Sequence, residues 1–241
     1  MIEQTEHRIA LPRLPEALDG LRIIQLTDLH RSRFTSDRLI RQAIALANEA
    51  NPDLILLTGD YVTHNRKDIA PIADMLAGLR ARLGIFAVLG NHDYSTDGPS
   101  VERALTLSGI TVLSNKSVCV PGGLRIVGLD DDRFKRTDVA RAFSQVEPDA
   151  PILVMAHNPA VAEWVTDYEC VVFSGHTHGG QIRVPILTAR KIRGIGAKHY
   201  QAGWYTVGKA KLYVNRGIGQ VGLPMRFRCR SEIALFTLAS T

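Results

Sequence analysis

Short apolar runs recur along the chain, and five of them stop at a residue able to ligate a metal. Residues 21–27 lead into Asp28-Leu29-His30, and residues 53–59 lead into Asp60. Residues 84–90 lead into Asn91-His92-Asp93, residues 151–156 into His157, and residues 170–173 into Gly175-His176-Thr177-His178. Runs this short and unbroken read as strands covered on both faces, the pattern of parallel sheets in α/β proteins. Between them, apolar positions recur at helical spacing over 37–50, near 68–82, over 99–108, near 138–145 and over 160–167. Ser36 is placed to cap the first of these helices, and Pro99 suits the first turn of the third. Residues 110–130 break the alternation: three short β-type runs, with Pro121-Gly122-Gly123 as a hairpin turn. Residues 8–11 read as a lead-in strand and 232–238 as a closing one. Residues 183–230, rich in glycine and basic groups, read as loops with a few strands such as 211–214.

Ligand-type residues at strand carboxyl ends can converge on one crevice of an α/β sheet. His176 and His178 are two apart and flanked by glycine, so in extended backbone both rings point the same way, toward one ion or two adjacent ones. Three oxygen donors (Asp28, Asp60, Asn91) and four imidazoles (His30, His157, His176, His178) exceed what one ion accepts. They suit two, bridged by a carboxylate, and the mixed oxygen and nitrogen set favours manganese, iron or zinc. Two such ions about 3.5–4 Å apart can share a hydroxide and clamp both ends of an in-line phosphoryl displacement. His92 offers a proton near neutral pH, and Asp93 is placed to hold its other nitrogen. The acidic run Asp130-Asp131-Asp132 reads as a capped loop start in preference to a cation site.

Charge adds a partner to this picture. Net charge is +5, yet residues 170–231 contain no acid and eleven Lys and Arg, which leaves −6 for the rest of the chain. Such asymmetry points to an anionic partner: a phosphorylated small molecule or lipid, an anionic membrane surface or, less favoured, nucleic acid. Alternation in residues 225–230 sets Arg226, Arg228 and Arg230 on one strand face and Met225, Phe227 and Cys229 on the other. With Ile186, Leu187 and Trp204 these are the candidate membrane-facing groups. Arg216, Arg226 and His199 are the candidate substrate contacts, whereas His7 and His64 read as surface residues. No run of 18 apolar residues exists and the first residues lack a secretory pattern, so the expectation is a cytoplasmic protein, peripheral at the inner membrane. Cys119, Cys170 and Cys229 read as buried, reduced thiols.

Asp28-x-His30, Gly59-Asp60, Gly90-Asn91-His92-Asp93, His157 and Gly175-His176-x-His178 together resemble the signature of the calcineurin-like metallophosphoesterases, complete and in order over residues 28–178. Gly179-Gly180-Gln181, Arg216-Gly217-Ile218-Gly219 and Leu223-Pro224-x-Arg226-Phe227 resemble the YaeI-type bacterial phosphodiesterase subgroup, which includes UDP-2,3-diacylglucosamine pyrophosphatases. The resemblance implies one domain over 1–241, a four-layer α/β/β/α sandwich with a dinuclear site at strand carboxyl ends. It implies that Asp28, His30 and His178 hold one ion, that Asn91, His157 and His176 hold the other, and that Asp60 bridges them. It also implies that a bridging hydroxide attacks the phosphorus while His92, oriented by Asp93, serves the leaving oxygen. The function it implies is a metal-dependent phosphodiesterase acting on a phosphodiester or diphosphate bond, with a lipid-linked nucleotide such as UDP-2,3-diacylglucosamine as one substrate. A nuclease or cyclic-nucleotide phosphodiesterase is the alternative enzyme, and a non-catalytic scaffold the alternative class.

Overall fold

A computed structural model describes residues 1–240, apart from the side chains of residues 185–187. Two six-stranded mixed sheets form its centre. In chain order the strands are β1 (Ile2–Ala10), β2 (Arg22–Leu26), β3 (Leu54–Leu57), β4 (Gly84–Ala87), β5 (Thr111–Val112), β6 (Lys116–Cys119), β7 (Arg125–Gly128), β8 (Ile152–Met155), β9 (Cys170–Ser174), β10 (Gly203–Val207), β11 (Ala210–Val214) and β12 (Ser231–Ala239). The first sheet has the order β1-β12-β2-β3-β4-β5 and the second β10-β11-β9-β8-β7-β6. The strands that end at ligand-type residues are parallel to one another within each sheet: β2, β3 and β4 in the first, β8 and β9 in the second.

Strand alternation builds three apolar layers. Ile24 and Leu26 of β2 pack outward with α1 (Asp37–Glu49), α2 (Ile69–Leu76) and α3 (Asn91–Leu107). Ile23 faces inward, where Leu54, Phe86, Leu153, Phe173 and Phe236 join the two sheets. The outer face of the second sheet is covered by α4 (Val139–Phe143) and the 3₁₀ segment Pro159–Trp164. The result is the four-layer sandwich that the resemblance implied. Gln25, buried between the sheets, donates to Thr58 Oγ1 and to the Ser174 carbonyl, tying the two sheets together beside the ends of β3 and β9.

Local expectations needed correction where tertiary contacts overrode pattern. The third helix does not start at Pro99: it starts at Asn91, directly after β4, and breaks at Asp97 before continuing. His92 and Asp93 therefore sit on the first turn of a helix, not in a loop. Ser36 does cap α1, accepting from the Leu39 amide. The expected helix over 160–167 is the shorter 3₁₀ segment, and the lead-in strand is a long β1 paired along its whole length with β12. The basic segment contains a helix, α5 (Pro185–Gly194), that composition concealed. Cys119 is exposed on an edge strand, while Cys170 and Cys229 are buried. Residues 225–230 form no strand beyond the bridge of Phe227 to Ile182, and Arg228 takes a left-handed φ of 52° that breaks the alternation. Met225 and Phe227 point outward as Arg228 and Arg230 do, while Cys229 is buried and Arg226 lies half-buried.

Two cations of the basic segment are answered by acids from outside it: Lys198 by Glu163, and Arg216 by two. Arg216 Nε lies 2.8 Å from Glu232 Oε2, and its Nη1 lies 3.0 Å from Glu3 Oε2. Burial alone would push the Glu232 carboxyl up, but hydrogen bonds from Arg216 and Tyr213 outweigh it and hold the group below the ordinary glutamate range. A carboxyl depressed in the folded state stabilises above its unfolded pKa, and that contribution fades as pH falls through the folded value. Glu232→Gln is thus expected to lower stability by roughly 2 kcal/mol near neutral pH. In melting curves taken at falling pH, the gap between the two proteins should narrow once pH passes below about 4.

Candidate metal centre

The five strand ends meet where the two sheets abut. Each ligand-type residue lies just past a buried strand, and the connection is a tight turn held by backbone bonds from the facing loop. The Asp28 amide donates to the Gly59 carbonyl, and the His30 amide to the Asp60 carbonyl, each at 2.9 Å. Asp28, His30, Asp60, His176 and His178 all adopt left-handed backbone, with φ between 45° and 68°. Side chains other than glycine rarely enter this region except Asn, Asp and His, and each instance costs about 1 kcal/mol. His176 and His178 are therefore not presented by extended backbone. The left-handed turns send them to different groups of ligands.

Three residues gather on one side. His178 Nε2 lies 3.4 Å from Asp28 Oδ1 and 3.0 Å from His30 Nε2, and His30 Nε2 lies 3.9 Å from the same Asp28 oxygen. On the other side His176 Nδ1 lies 3.1 Å from His157 Nε2. Asp60 stands between the groups, its Oδ2 3.3 Å from His30 Nε2 and 3.2 Å from His157 Nε2. Asn91 is buried on the first turn of α3 with its Oδ1 unpaired. Six of the seven residues that the resemblance implied as ligands meet at these distances, and Asn91 immediately precedes His92, whose amide bonds Asp60.

Hydrogen bonding fixes which nitrogens face inward. His157 Nδ1 lies 2.8 Å from the Thr58 carbonyl and must donate to it. His176 Nε2 lies 2.9 Å from the Ile195 carbonyl and must donate likewise. Both inward nitrogens then present lone pairs to each other, which requires a proton or a cation between them. Burial works against a charged His157, but Asp60 overcomes it and raises that imidazole well above its usual pKa. Burial and His157 together push His176 down to about 3. Asp28 is raised by burial. His178 is held low by burial and by the His30 charge. Buried carboxylates, inward lone pairs and an orphaned amide oxygen fit a pair of divalent ions, which would replace the shared protons.

His92 adjoins this centre. Its backbone amide donates to Asp60 Oδ1 and its Nδ1 lies 3.0 Å from the Thr63 carbonyl, so Nε2 is left for a ligand. Asp93 does not orient this ring. Its carboxylate accepts from the backbone amides of Gly90, Asp60 and Tyr61 at 2.8–2.9 Å, stapling α3 to the loop after β3. Burial and the neighbouring Asp60 charge push Asp93 up to about 7. The orienting group is Thr63, whose hydroxyl also lies 3.2 Å from His30 Nδ1. Sequence reasoning missed Thr63, Thr58 and Ile195 because each acts on a histidine through a carbonyl oxygen, which residue type does not advertise.

The remaining candidates divide. Arg226 lies behind the first group, with its Nη2 3.3 Å from His178 Nδ1 and 2.6 Å from the Gly219 carbonyl. Arg216 is held by Glu3 and Glu232 as described. His199 lies exposed against Tyr200, ring centroids 4.2 Å apart. His64 is exposed, as expected, but its ring is 5.1 Å from that of His92. His7 is half-buried against Tyr213 and Phe236, not free at the surface. In the acidic run, Asp130 and Asp131 accept the amides of Asp131 and Phe134, the loop-start role expected. Glycine at 90 and 175 is obligatory for space: a Cβ would fall 2.2 Å from Asp60 Oδ1 or 2.3 Å from Asp28 Oδ2, respectively.

This fold and this ligand set define a metallophosphoesterase, a hydrolase of phosphoric esters. Residues 21–180 match the calcineurin-like phosphoesterase family, and the chain belongs to it. Over its whole length it is 35% identical to the uncharacterized metallophosphoesterase YkuE of Bacillus subtilis, covering 87% of that protein. It is also 35% identical to phosphodiesterase YaeI of Escherichia coli, over 98% of this chain and 88% of the relative. Identity to the UDP-2,3-diacylglucosamine pyrophosphatase LpxG of Chlamydia muridarum is 29%, over 87% of this chain and 81% of that one. Among solved structures, a 5'-nucleotidase precursor from Thermus thermophilus shares the fold, with a TM-score of 0.50 at 17% identity over 68% of this chain and 43% of that one.

Proposed function

We propose that the chain is a dinuclear phosphodiesterase in which Asp28, His30 and His178 hold one divalent ion, Asn91, His157 and His176 hold the other, and Asp60 bridges. The observation that carries this reading is the pair of inward lone pairs on His157 and His176, 3.1 Å apart and 3.2 Å from Asp60 in the case of His157. When bound, the ions acidify water and neutralise charge on the phosphoryl oxygens. His92 Nε2 carries a proton to the departing oxygen, and the Thr63 carbonyl holds Nδ1–H so that Nε2 faces the substrate. Asp93 positions the loops rather than the proton. The related phosphodiesterase and pyrophosphatase favour a diester or diphosphate bond over a monoester.

A phosphoester panel checks this directly. Turnover of bis-p-nitrophenyl phosphate and of a nucleotide diphospholipid should appear with manganese and vanish after chelation, with monoesters cleaved more slowly. Absence of metal-dependent turnover across the panel overturns the reading; salt-sensitive cleavage of RNA or DNA would instead favour the nuclease.

A lipid-linked nucleotide is the finer proposal, and it places the protein at an anionic membrane. Leu223, Met225 and Phe227 stand 55%, 50% and 46% exposed beside Arg228 and Arg230. The side chains of Ile186 and Leu187 lie outside the described residues, and Trp204 packs edge-on against His7 and Tyr213 on a different part of the surface. Among the described residues no helix is long and apolar enough to cross a membrane. The protein should sediment with phosphatidylglycerol vesicles at low salt and not with phosphatidylcholine; equal recovery with both removes the idea.

A further inference from the structure

A cavity of about 930 Å³ lies beside the first ligand group and plays no part in the chemistry above. Five arginines line it: Arg33 from the loop after His30, Arg216, Arg226, Arg228 and Arg230. Its single acidic wall residue is Glu3, whose carboxylate is already engaged by Arg216. Arg226 is likewise engaged, by the Gly219 carbonyl. Among the described residues, Arg33, Arg228 and Arg230 make no ion pair with any carboxylate. Arg31, the neighbour of this loop, shows the contrast: Asp37 and Asp68 both meet it.

Three exposed guanidiniums line one space with no carboxylate to answer their charge, so the space carries a positive potential. Two of them are also pre-set. Arg33 lies over the Phe34 ring at 4.6 Å and Arg228 over Phe227 at 5.5 Å, contacts that hold the planar groups while leaving their N–H edges free. A guanidinium fork matches phosphate oxygens two at a time. Half-buried Phe34 and Leu39 form an apolar part of the wall, so the space suits an organic phosphate better than a bare ion. The volume is within the usual range for small-molecule sites.

We propose that this cavity is a phosphate-binding site separate from the metal centre, taking the phosphate of an organic ligand. The site stands on its own residues and does not depend on the phosphodiesterase reading. It touches the metal centre through His178, which two of its lining residues contact: Arg226 at the ring and Cys229 at the carbonyl.

Titration calorimetry of the metal-loaded protein with glycerol 1-phosphate tests it. Two saturable sites are expected, the metal centre and the cavity. In Arg228→Gln/Arg230→Gln the second site should weaken about tenfold or more, the loss typical of a charge-assisted bond. Arg33→Gln, on a separate loop, should weaken it too, so a folding fault in the first variant does not decide the matter. A parallel arm uses phosphatidylcholine vesicles carrying phosphatidic acid. Loss of vesicle binding in the arginine variants, with wild-type binding displaced by free glycerol phosphate, identifies a lipid headgroup as the source. Binding of the soluble phosphate alone identifies a soluble ligand. A single site of equal affinity in all three proteins, with unchanged vesicle binding, overturns the proposal. Turnover of bis-p-nitrophenyl phosphate by the same preparations reads the metal centre, so either reading can fail without the other.

Discussion

Asp60→Asn is expected to remove turnover almost entirely, by roughly 10³-fold or more, since the charge stabilisation it organises is worth several kcal/mol. The carboxylate reaches both ligand clusters: Oδ2 faces His30 and His157, while Oδ1 accepts the His92 amide. The amide replacement preserves shape and the contact to the His92 amide but lacks the negative charge needed between two cations. Metal content of the purified variant should fall toward one ion or none. The second readout is thermal: divalent metal should raise the melting temperature of the wild type by mass action and leave the variant nearly unmoved. A variant that retains two ions and near-normal turnover would show that Asp60 does not bridge.

His92→Ala should behave differently. This side chain stands within ligand reach of His30 and Asp60; if it serves as proton donor and not as ligand, two ions should remain on its removal while kcat falls by about 10²–10⁴. The loss should depend on the leaving group. A p-nitrophenolate departs without much help, whereas an alkoxide needs the proton from Nε2. The variant should therefore lose less on bis-p-nitrophenyl phosphate than on an alkyl diester. Equal losses on both would assign His92 to charge stabilisation alone, and loss of an ion would make it a ligand.

These two outcomes separate roles that the sequence had joined. Asn91, His92 and Asp93 are consecutive, and both spacing and the resemblance paired His92 with Asp93. The helical first turn splits them: the Asn91 amide oxygen is buried and unpaired, the His92 amide meets Asp60, and Asp93 turns back onto the amides of Gly90, Asp60 and Tyr61. A helix that begins at residue 91 could not be read from its sequence, because the apolar spacing that signals α3 only starts after the break at Asp97. The same limit hid α5 inside the basic segment, where charge masked a short helix.

The chain by itself determined the order of the ligand-type residues, the buried character of β2, β3, β8 and β9, and the residue types that follow these strands and β4. Those properties are local: an apolar run shielded on both faces must be followed by a polar turn, and the residue types in those turns carry the chemistry. Residue spacing could not say how these side chains divide; the resemblance implied the division, and the tertiary structure supplies its physical basis. His176 and His178 part company because left-handed turns aim them at different partners, and such turns are imposed by backbone bonds between distant loops. It alone chose the inward nitrogens, through carbonyls of Thr58 and Ile195 that every residue possesses and no sequence pattern marks. And it alone gathered Arg33 with Arg228 and Arg230 around one cavity, since burial and pairing of charge depend on neighbours in space, not along the chain.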